Sequence, residues 1–262
     1  MVKASHLIPF IAYLEEISAP VDELLNDVKL SRDYFSAPDN LVPEAPMWAF
    51  FELAAERTGV TDLGFKVTEY LSLDSYGVFG EKVMSADNLK RALTVFIDDM
   101  GQQSNCPPFW LKESNNGVWF YRLGTQGITR GKWQVEQHVV SLMVQLVRGF
   151  TSRHWTPPHV ELQTNTLKGA EHCGSLRGSK VVIGKAYTGI FIPSTLLSNQ
   201  STQIDQAEIQ SKQLPNKDIS TINNQVLKSL MSQSNQARYS TIEKVAQTLS
   251  MSVRQLQRVL KE

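Results

Sequence analysis

FWLKESNNGVWFYR, at residues 109–122, contains two runs of aromatic and branched residues on either side of Ser114-Asn115-Asn116-Gly117. Such runs favour extended strands, and an Asn-Gly pair between them is a strong local signal of a β-hairpin. We therefore predict a hairpin here, within a larger sheet. Further short strands are predicted at 160–163, 181–183 and 189–192.

Helical patterns precede and separate these strand candidates. The spacing of apolar residues predicts helices over 85–104 and 132–150. The inward face of the second is predicted to consist of Val135, Val139, Leu142, Met143, Leu146, Val147 and Phe150. The first seventy residues also show helical spacing, interrupted by Pro20, Pro38 and Gly59. The prediction is an α+β fold, with an N-terminal helical subdomain and then a mixed sheet-and-helix domain.

The composition excludes several classes of protein. Of the 262 residues, 42% are hydrophobic and 20% are charged, which is typical of a globular protein with a sizeable core. No unbroken apolar run exceeds five residues, whereas a membrane-spanning helix needs about 20. The N-terminus lacks a secretion signal, and Cys106 and Cys173 are too few for a disulfide framework. We therefore expect a cytoplasmic protein with no membrane partner.

The net charge of zero conceals an uneven distribution of charged residues. Residues 217–262 contain seven Lys or Arg and three Asp or Glu, a net charge of +4. Residues 1–216 contain 19 Lys or Arg and 23 Asp or Glu, a net charge of −4. This distribution argues against a chain that coats nucleic acid along its length, and it fits a small basic region attached to a mildly acidic domain.

The basic C-terminal region has the pattern of a helix-turn-helix. Two capping boxes, Ser240-Thr241-Ile242-Glu243 and Ser252-Val253-Arg254-Gln255, mark the starts of two short helices. Only Ser250, Met251 and Ser252 separate the helices, and the small Ala246 permits a close crossing. This all-α subdomain is predicted to place its last helix in the DNA major groove.

The candidate DNA-binding residues lie at the N-terminal half of that last helix. They are Ser252, Arg254, Gln257 and Arg258. Arg pairs with guanine and Gln with adenine through two hydrogen bonds, although either side chain can contact a phosphate instead. A pair of helices with a solvated polar exterior is the structural alternative.

These residues carry a family resemblance. IEKVAQTLSMSVRQLQRVLKE, at 242–262, resembles the first helix-turn-helix of the AraC/XylS family of bacterial transcriptional regulators. Upstream, AFFELAAERTGVTDLGFKV at 49–67 and GSKVVIGKAYTGIFIPSTLL at 178–197 resemble the arabinose-binding-like N-terminal sensory domain of that family. In the motif, Val245-Ala246 and Leu256-Gln257-Arg258 occupy the expected positions.

The resemblance implies a ligand-responsive transcriptional regulator. Its implied partners are an unknown small-molecule effector, DNA at promoter half-sites, RNA polymerase and a second copy of the chain in a homodimer. The predicted domains are a ligand-sensing regulatory domain at 1–198, a linker at 199–216 and the first helix-turn-helix subdomain at 217–262. The family carries two such motifs, so a chain that stops at Glu262 is expected to be truncated after the first.

A second interpretation stays open at the sequence level. A truncated member can pair with a full-length relative and modulate it without binding DNA itself. No Gly-x-Ser-x-Gly elbow, phosphate-binding loop or other catalytic motif is present, so no enzymatic activity and no cofactor are predicted. His154, His159, His172 and Cys173 lack the spacing of metal ligands, so no metal site is predicted.

Two further features leave alternatives open, and they identify no effector-binding residue. Arg130-Gly131-Lys132 precedes a predicted helix and can hold an anion, although a solvated turn is the simpler interpretation. Trp110, Trp119, Tyr121 and Trp133 can line an apolar cavity, although aromatic residues are more often ordinary core.

Overall fold

The computed structural model describes residues 1–69, 71, 73–103, 109–124 and 127–201. The predicted helix-turn-helix at 217–262 and most of the predicted linker lie outside these ranges, so the α+β class is confirmed for the N-terminal part of the chain. The domain boundaries stay predictions. No helix in the described ranges is both long and apolar enough to cross a membrane.

The predicted helical character of the first seventy residues is confirmed, and the structure has four α-helices among the described residues there. They are α1 (Ile8–Glu16), α2 (Val21–Asp27), α3 (Glu44–Thr58) and α4 (Leu63–Glu69). The α3 helix ends at Gly59, whose φ of +72° is the left-handed conformation that glycine adopts without a steric penalty. A short antiparallel pair that the sequence did not predict, β1 (Val2–Lys3) and β2 (Leu41–Val42), joins the N-terminus to the segment just before α3.

Three more helices follow, α5 (Val78–Met84), α6 (Leu89–Gln103) and α7 (Lys132–Arg148). The α6 helix starts four residues later than predicted because the Asn88 side chain caps it, accepting from the Arg91 N–H at 3.0 Å. Short 3-10 turns occupy Ala4–His6, Arg32–Phe35, Leu73–Tyr76, Ala170–His172, Gly174–Leu176 and Ser194–Leu196.

The mixed sheet has five strands in the order β3-β4-β7-β5-β6. They are β3 (Phe109–Ser114), β4 (Gly117–Arg122), β5 (His159–Glu161), β6 (Lys180–Val182) and β7 (Thr188–Pro193). All neighbours are antiparallel except β5 and β6. The predicted hairpin is confirmed, since Ser114 pairs with Gly117 and leaves Asn115-Asn116 as the turn. The other three strand predictions are confirmed to within two residues.

The two faces of the sheet differ. The inner face packs on α6 and α7, and the Phe96 ring of α6 lies 5.1 Å from the ring of Phe109 and 5.6 Å from that of Phe120. On the outer face, the Trp119 and Tyr121 rings stack with 5.3 Å between centroids. Trp110 and Trp119 are only half-buried, so the interpretation of these aromatics as core is wrong for both.

The α7 helix is buried on nearly all sides. Every residue of its predicted inward face is buried: Val135, Val139, Leu142, Met143, Leu146, Val147 and Phe150. The polar residues Gln134, Glu136, Gln137, His138 and Ser141 are buried as well. Burying polar groups costs free energy unless they find partners, so these side chains mark the positions where α7 contacts functional or structural polar groups.

Candidate effector-binding site

A cavity of about 60 Å³ lies where α3, α6 and α7 meet the inner face of β3 and β4. Among the described residues, its wall is apolar, formed by side chains such as those of Trp48, Phe51 and Leu142, except for three polar side chains. These three are His6, Arg122 and His138. Concave sites with apolar walls and a few converging polar groups are the usual form of small-molecule sites.

Ordinary secondary-structure periodicity brings these polar groups together. His138 lies on the same face of α7 as Val135, Val139 and Leu142, because residues three and four apart share a helix face. Arg122 ends β4 and points inward, since side chains alternate along a strand. His6 belongs to the 3-10 turn that follows β1.

The guanidinium of Arg122 is buried in this cavity, with only 3% of the residue exposed. Among the described side chains, no carboxylate lies within ion-pair distance of it. The buried carboxylate of Glu136 is engaged elsewhere. It accepts from the backbone N–H groups of Gln163 at 2.6 Å and Thr164 at 2.9 Å, and from the Thr188 hydroxyl.

The tautomer of His138 follows from its hydrogen bonds. The Thr68 hydroxyl donates to the Gly64 carbonyl at 2.6 Å, so it accepts from His138 Nδ1 at 2.7 Å. The neutral imidazole therefore carries its hydrogen on Nδ1 and a lone pair on Nε2. That Nε2 atom is buried and has no hydrogen-bond partner among the described residues.

Both cavity histidines are held in the neutral form. Burial, reinforced by the charge of Lys3, lowers the pKa of His6 to about 4. Burial, with further contributions from His6 and Arg122, lowers the pKa of His138 to about 3. The two rings lie 6.5 Å apart, and the Nε2 atom of His6 also has no partner within the described part of the chain. Among the described residues that line the cavity, Arg122 is therefore the charged group at neutral pH.

The residues predicted from the sequence occupy other places. Ser252, Arg254, Gln257 and Arg258 lie outside the described residues. At the start of α7, the carboxylate of Glu52 accepts from Arg130 Nε at 3.2 Å and from the Gly131 N–H at 2.9 Å. The anion at this helix N-terminus is thus the protein's own side chain. Arg130 is exposed, which agrees with the interpretation of this segment as a solvated turn.

The spacing of His154, His159, His172 and Cys173 in the sequence predicts no metal site. His154 and His159 are exposed, whereas Cys173 is buried. Within the described ranges, no three His, Cys, Asp or Glu side chains form a group that could hold a metal ion. Nothing is described of the His172 side chain.

Sequence reasoning missed His6, Arg122 and His138. One available signal was a second, polar stripe on α7, in which Gln134, His138 and Ser141 recur at helical spacing beside the apolar face. A helix that carries an apolar stripe and a separate stripe of polar residues can be buried on both faces, as α7 is. No comparable signal distinguishes Arg122, since a basic residue at the end of a strand is common.

Comparison with known proteins bears on the whole domain. Residues 19–200 match the model of the arabinose-binding domain of AraC transcription regulators, N-terminal. Among solved structures, the chain is similar to the transcriptional regulator CdpR from Pseudomonas aeruginosa, with 17% identity and a TM-score of 0.49. This similarity covers 92% of this chain and 77% of that one. No curated protein gave a significant match. Because the family model covers well over half of the 262 residues, the chain belongs to the AraC-type transcription regulators with this N-terminal domain.

Proposed function

We propose that the chain is a transcriptional regulator whose N-terminal cavity binds a small-molecule effector and thereby controls DNA binding by the C-terminal helix-turn-helix. The observation that carries the proposal is the cavity itself. It places Arg122, His6 and His138 in an apolar wall, inside a domain of a regulatory family. A buried polar atom without a partner costs about 1–3 kcal/mol, and such costs are typical of functional sites.

A physical route connects this cavity to the predicted linker. Met100 of α6 lines the cavity. At the other end of the same helix, the N–H groups of Leu89 and Lys90 donate to the carbonyls of Asn199 and Leu197, at 2.9 and 3.0 Å. A shift of α6 on ligand binding therefore moves the point from which the chain leaves the domain. The effector must favour one such arrangement over another to have any effect.

On this proposal, the DNA contacts are made by Ser252, Arg254, Gln257 and Arg258 in the C-terminal region. That region carries a net charge of +4, which suits a polyanionic partner. A homodimer on two promoter half-sites and contact with RNA polymerase are the further parts of the proposal, and they rest on the family.

A gel-shift titration of the full chain on its own promoter DNA tests this function. We expect the double variant Arg254→Ala and Arg258→Ala to lose the sequence-specific shift, because each base contact contributes about 1–3 kcal/mol. The matched control removes the same charge from the outer face of the sheet, with Lys112→Ala and Lys180→Ala, and should bind as the wild type does. An unchanged shift in the first double variant would overturn the assignment of the DNA-binding residues.

A further inference from the structure

We propose that the cavity binds a small hydroxycarboxylate, with its carboxylate on Arg122 and its hydroxyl donating to Nε2 of His138. This inference rests on the proposed function in one respect, namely that the cavity is the effector site. It adds the chemical class of the effector and the roles of Arg122 and His138.

The buried charge of Arg122 favours a ligand with an anionic group. An arginine of which only 3% is exposed needs an anion nearby, because an uncompensated buried charge is costly. None of the described carboxylates is within 4.0 Å of it, and the oxygens of Glu136 already accept three hydrogen bonds. Guanidinium and carboxylate match in geometry through two parallel hydrogen bonds.

The charges of the cavity wall disfavour ligands that carry a positive charge. No Asp or Glu is among the described residues that line the cavity. The imidazoles of His6 and His138 carry no negative charge in any protonation state, so they offer an ammonium group no counter-charge. An amine or an amino acid would place its ammonium beside Arg122 in an apolar surrounding, where like charges repel strongly.

The lone pair on Nε2 of His138 favours a ligand that carries a hydrogen-bond donor. The bond from Nδ1 to Thr68 fixes Nε2 as an acceptor, and this acceptor is buried without a partner among the described residues. A ligand whose polar group is a carboxylate alone has no hydrogen to donate to Nε2, because an ionised carboxylate only accepts hydrogen bonds. A hydroxyl next to the carboxylate instead supplies the missing donor while the carboxylate stays on Arg122.

The size and wall of the cavity limit the rest of the ligand. Ligand pockets commonly measure about 300–1,000 Å³, whereas this cavity measures about 60 Å³. Its remaining surface is provided by apolar side chains such as Trp48, Phe51 and Leu142. A chain of a few carbon atoms fits this description, and a sugar with many hydroxyl groups does not.

The test compares four probes of nearly equal size on the full chain: 2-hydroxybutanoate, butanoate, 1,2-butanediol and 2-aminobutanoate. Calorimetric or ligand-observed NMR titration gives the Kd of each. We expect 2-hydroxybutanoate to bind about 10- to 100-fold more tightly than the diol, the range for a charged hydrogen bond. It should bind about fivefold more tightly than butanoate, and 2-aminobutanoate should not bind.

Variants assign each preference to a side chain. Arg122→Gln should remove the preference for 2-hydroxybutanoate over the diol, and Arg122→Lys should keep part of it. His138→Phe should remove only the preference over butanoate, because it deletes Nε2 and retains an aromatic ring beside Phe10. The control is Arg148→Gln, which changes a half-buried arginine that donates to the Trp155 carbonyl outside the cavity. It should bind all four probes as the wild type does.

Equal binding of the diol and the hydroxy acid by the wild-type chain would overturn the inference, and so would binding of none of the probes at millimolar concentration. The wild-type series stands even if the Arg122→Gln chain fails to fold. If these probes fail while the promoter shift responds to another ligand class, only the inference falls. If the hydroxy acid binds through Arg122 and the chain binds no DNA, the inference stands and the proposed function falls.

Discussion

His6 and His138 exchange water for an apolar surrounding when the chain folds. Each keeps a buried Nε2 atom without a hydrogen-bond partner among the described residues. Their pKa values, lowered from 6.5 to about 4 and about 3, express the cost of charging an imidazole in this cavity. The same two residues therefore line the proposed ligand cavity and contribute to the pH dependence of stability.

We expect the free energy of unfolding to decrease as the pH falls from 6.5 to about 4. In this window each histidine is protonated in the unfolded chain and neutral in the folded chain. Each therefore contributes up to about 1.4 kcal/mol per pH unit to the slope of the free energy of unfolding against pH. Urea unfolding of the wild type and of His138→Asn measures the difference in slope, which should be shallower in the variant. His159→Asn, at an exposed position, is the control. Identical slopes for the wild type and His138→Asn would contradict the burial of a neutral imidazole.

The sequence predicted none of the individual polar residues that line the cavity. The type of a residue does not say whether its strand or helix is central, and the same Arg122 would be unremarkable at an exposed strand end. His138 differs from a surface histidine only because α7 is covered on nearly all sides, which depends on contacts with α3, α4 and the sheet. Such contacts join residues that are distant in the chain.

Between the elements, the contact of α4 with α7 positions His138. The Gly64 N–H donates to the side-chain oxygen of Gln137 at 3.0 Å, and both Gln134 and Gln137 donate to the Thr61 carbonyl. A Cβ atom on Gly64 would lie 2.2 Å from the Gln134 carbonyl oxygen and 2.9 Å from the backbone nitrogen of His138. The two helices can therefore approach this closely only with glycine at position 64.

We expect Gly64→Ala to destabilise the chain by about 1–3 kcal/mol or more, because backbone atoms must move to accommodate the methyl group. The matched control is Gly101→Ala in α6, where a Cβ would meet nothing within 4 Å. Alanine is the better helix former by about 1 kcal/mol, so this control should be neutral or stabilising. Thermal unfolding of both variants gives the comparison, and equal stability of the two would contradict the close packing of α4 on α7.

Elements with a strong local signal were predicted well. The hairpin at 109–122 has both its aromatic runs and its turn in the sequence, and the apolar face of α7 follows helical periodicity. The pair β1 and β2 was missed, because two-residue strands depend on pairing between distant segments rather than on a pattern of their own. The start of α6 was misplaced because Asn88, a strong N-cap, lies inside the apolar window.

For the whole molecule, the family resemblance predicted the class of protein, which composition and periodicity alone do not indicate. The net charge of zero only excluded a chain that is basic throughout. The match over residues 19–200 confirms the regulatory family, whereas the four DNA-binding residues and the domain boundaries remain predictions. The proposed coupling between the two regions rests on α6, in which Met100 lines the cavity and the N–H groups of Leu89 and Lys90 donate to the carbonyls of Asn199 and Leu197.

The affinity of the full chain for its own promoter DNA, with and without saturating 2-hydroxybutanoate, tests this coupling most directly. Fluorescence anisotropy should show a ligand-induced change in Kd of about 5- to 150-fold for the wild type, the usual range of allosteric coupling. The Arg122→Gln chain should bind DNA with the same Kd in both conditions. A wild-type Kd for DNA that stays constant while the cavity is saturated with ligand would contradict a sensor that controls DNA binding.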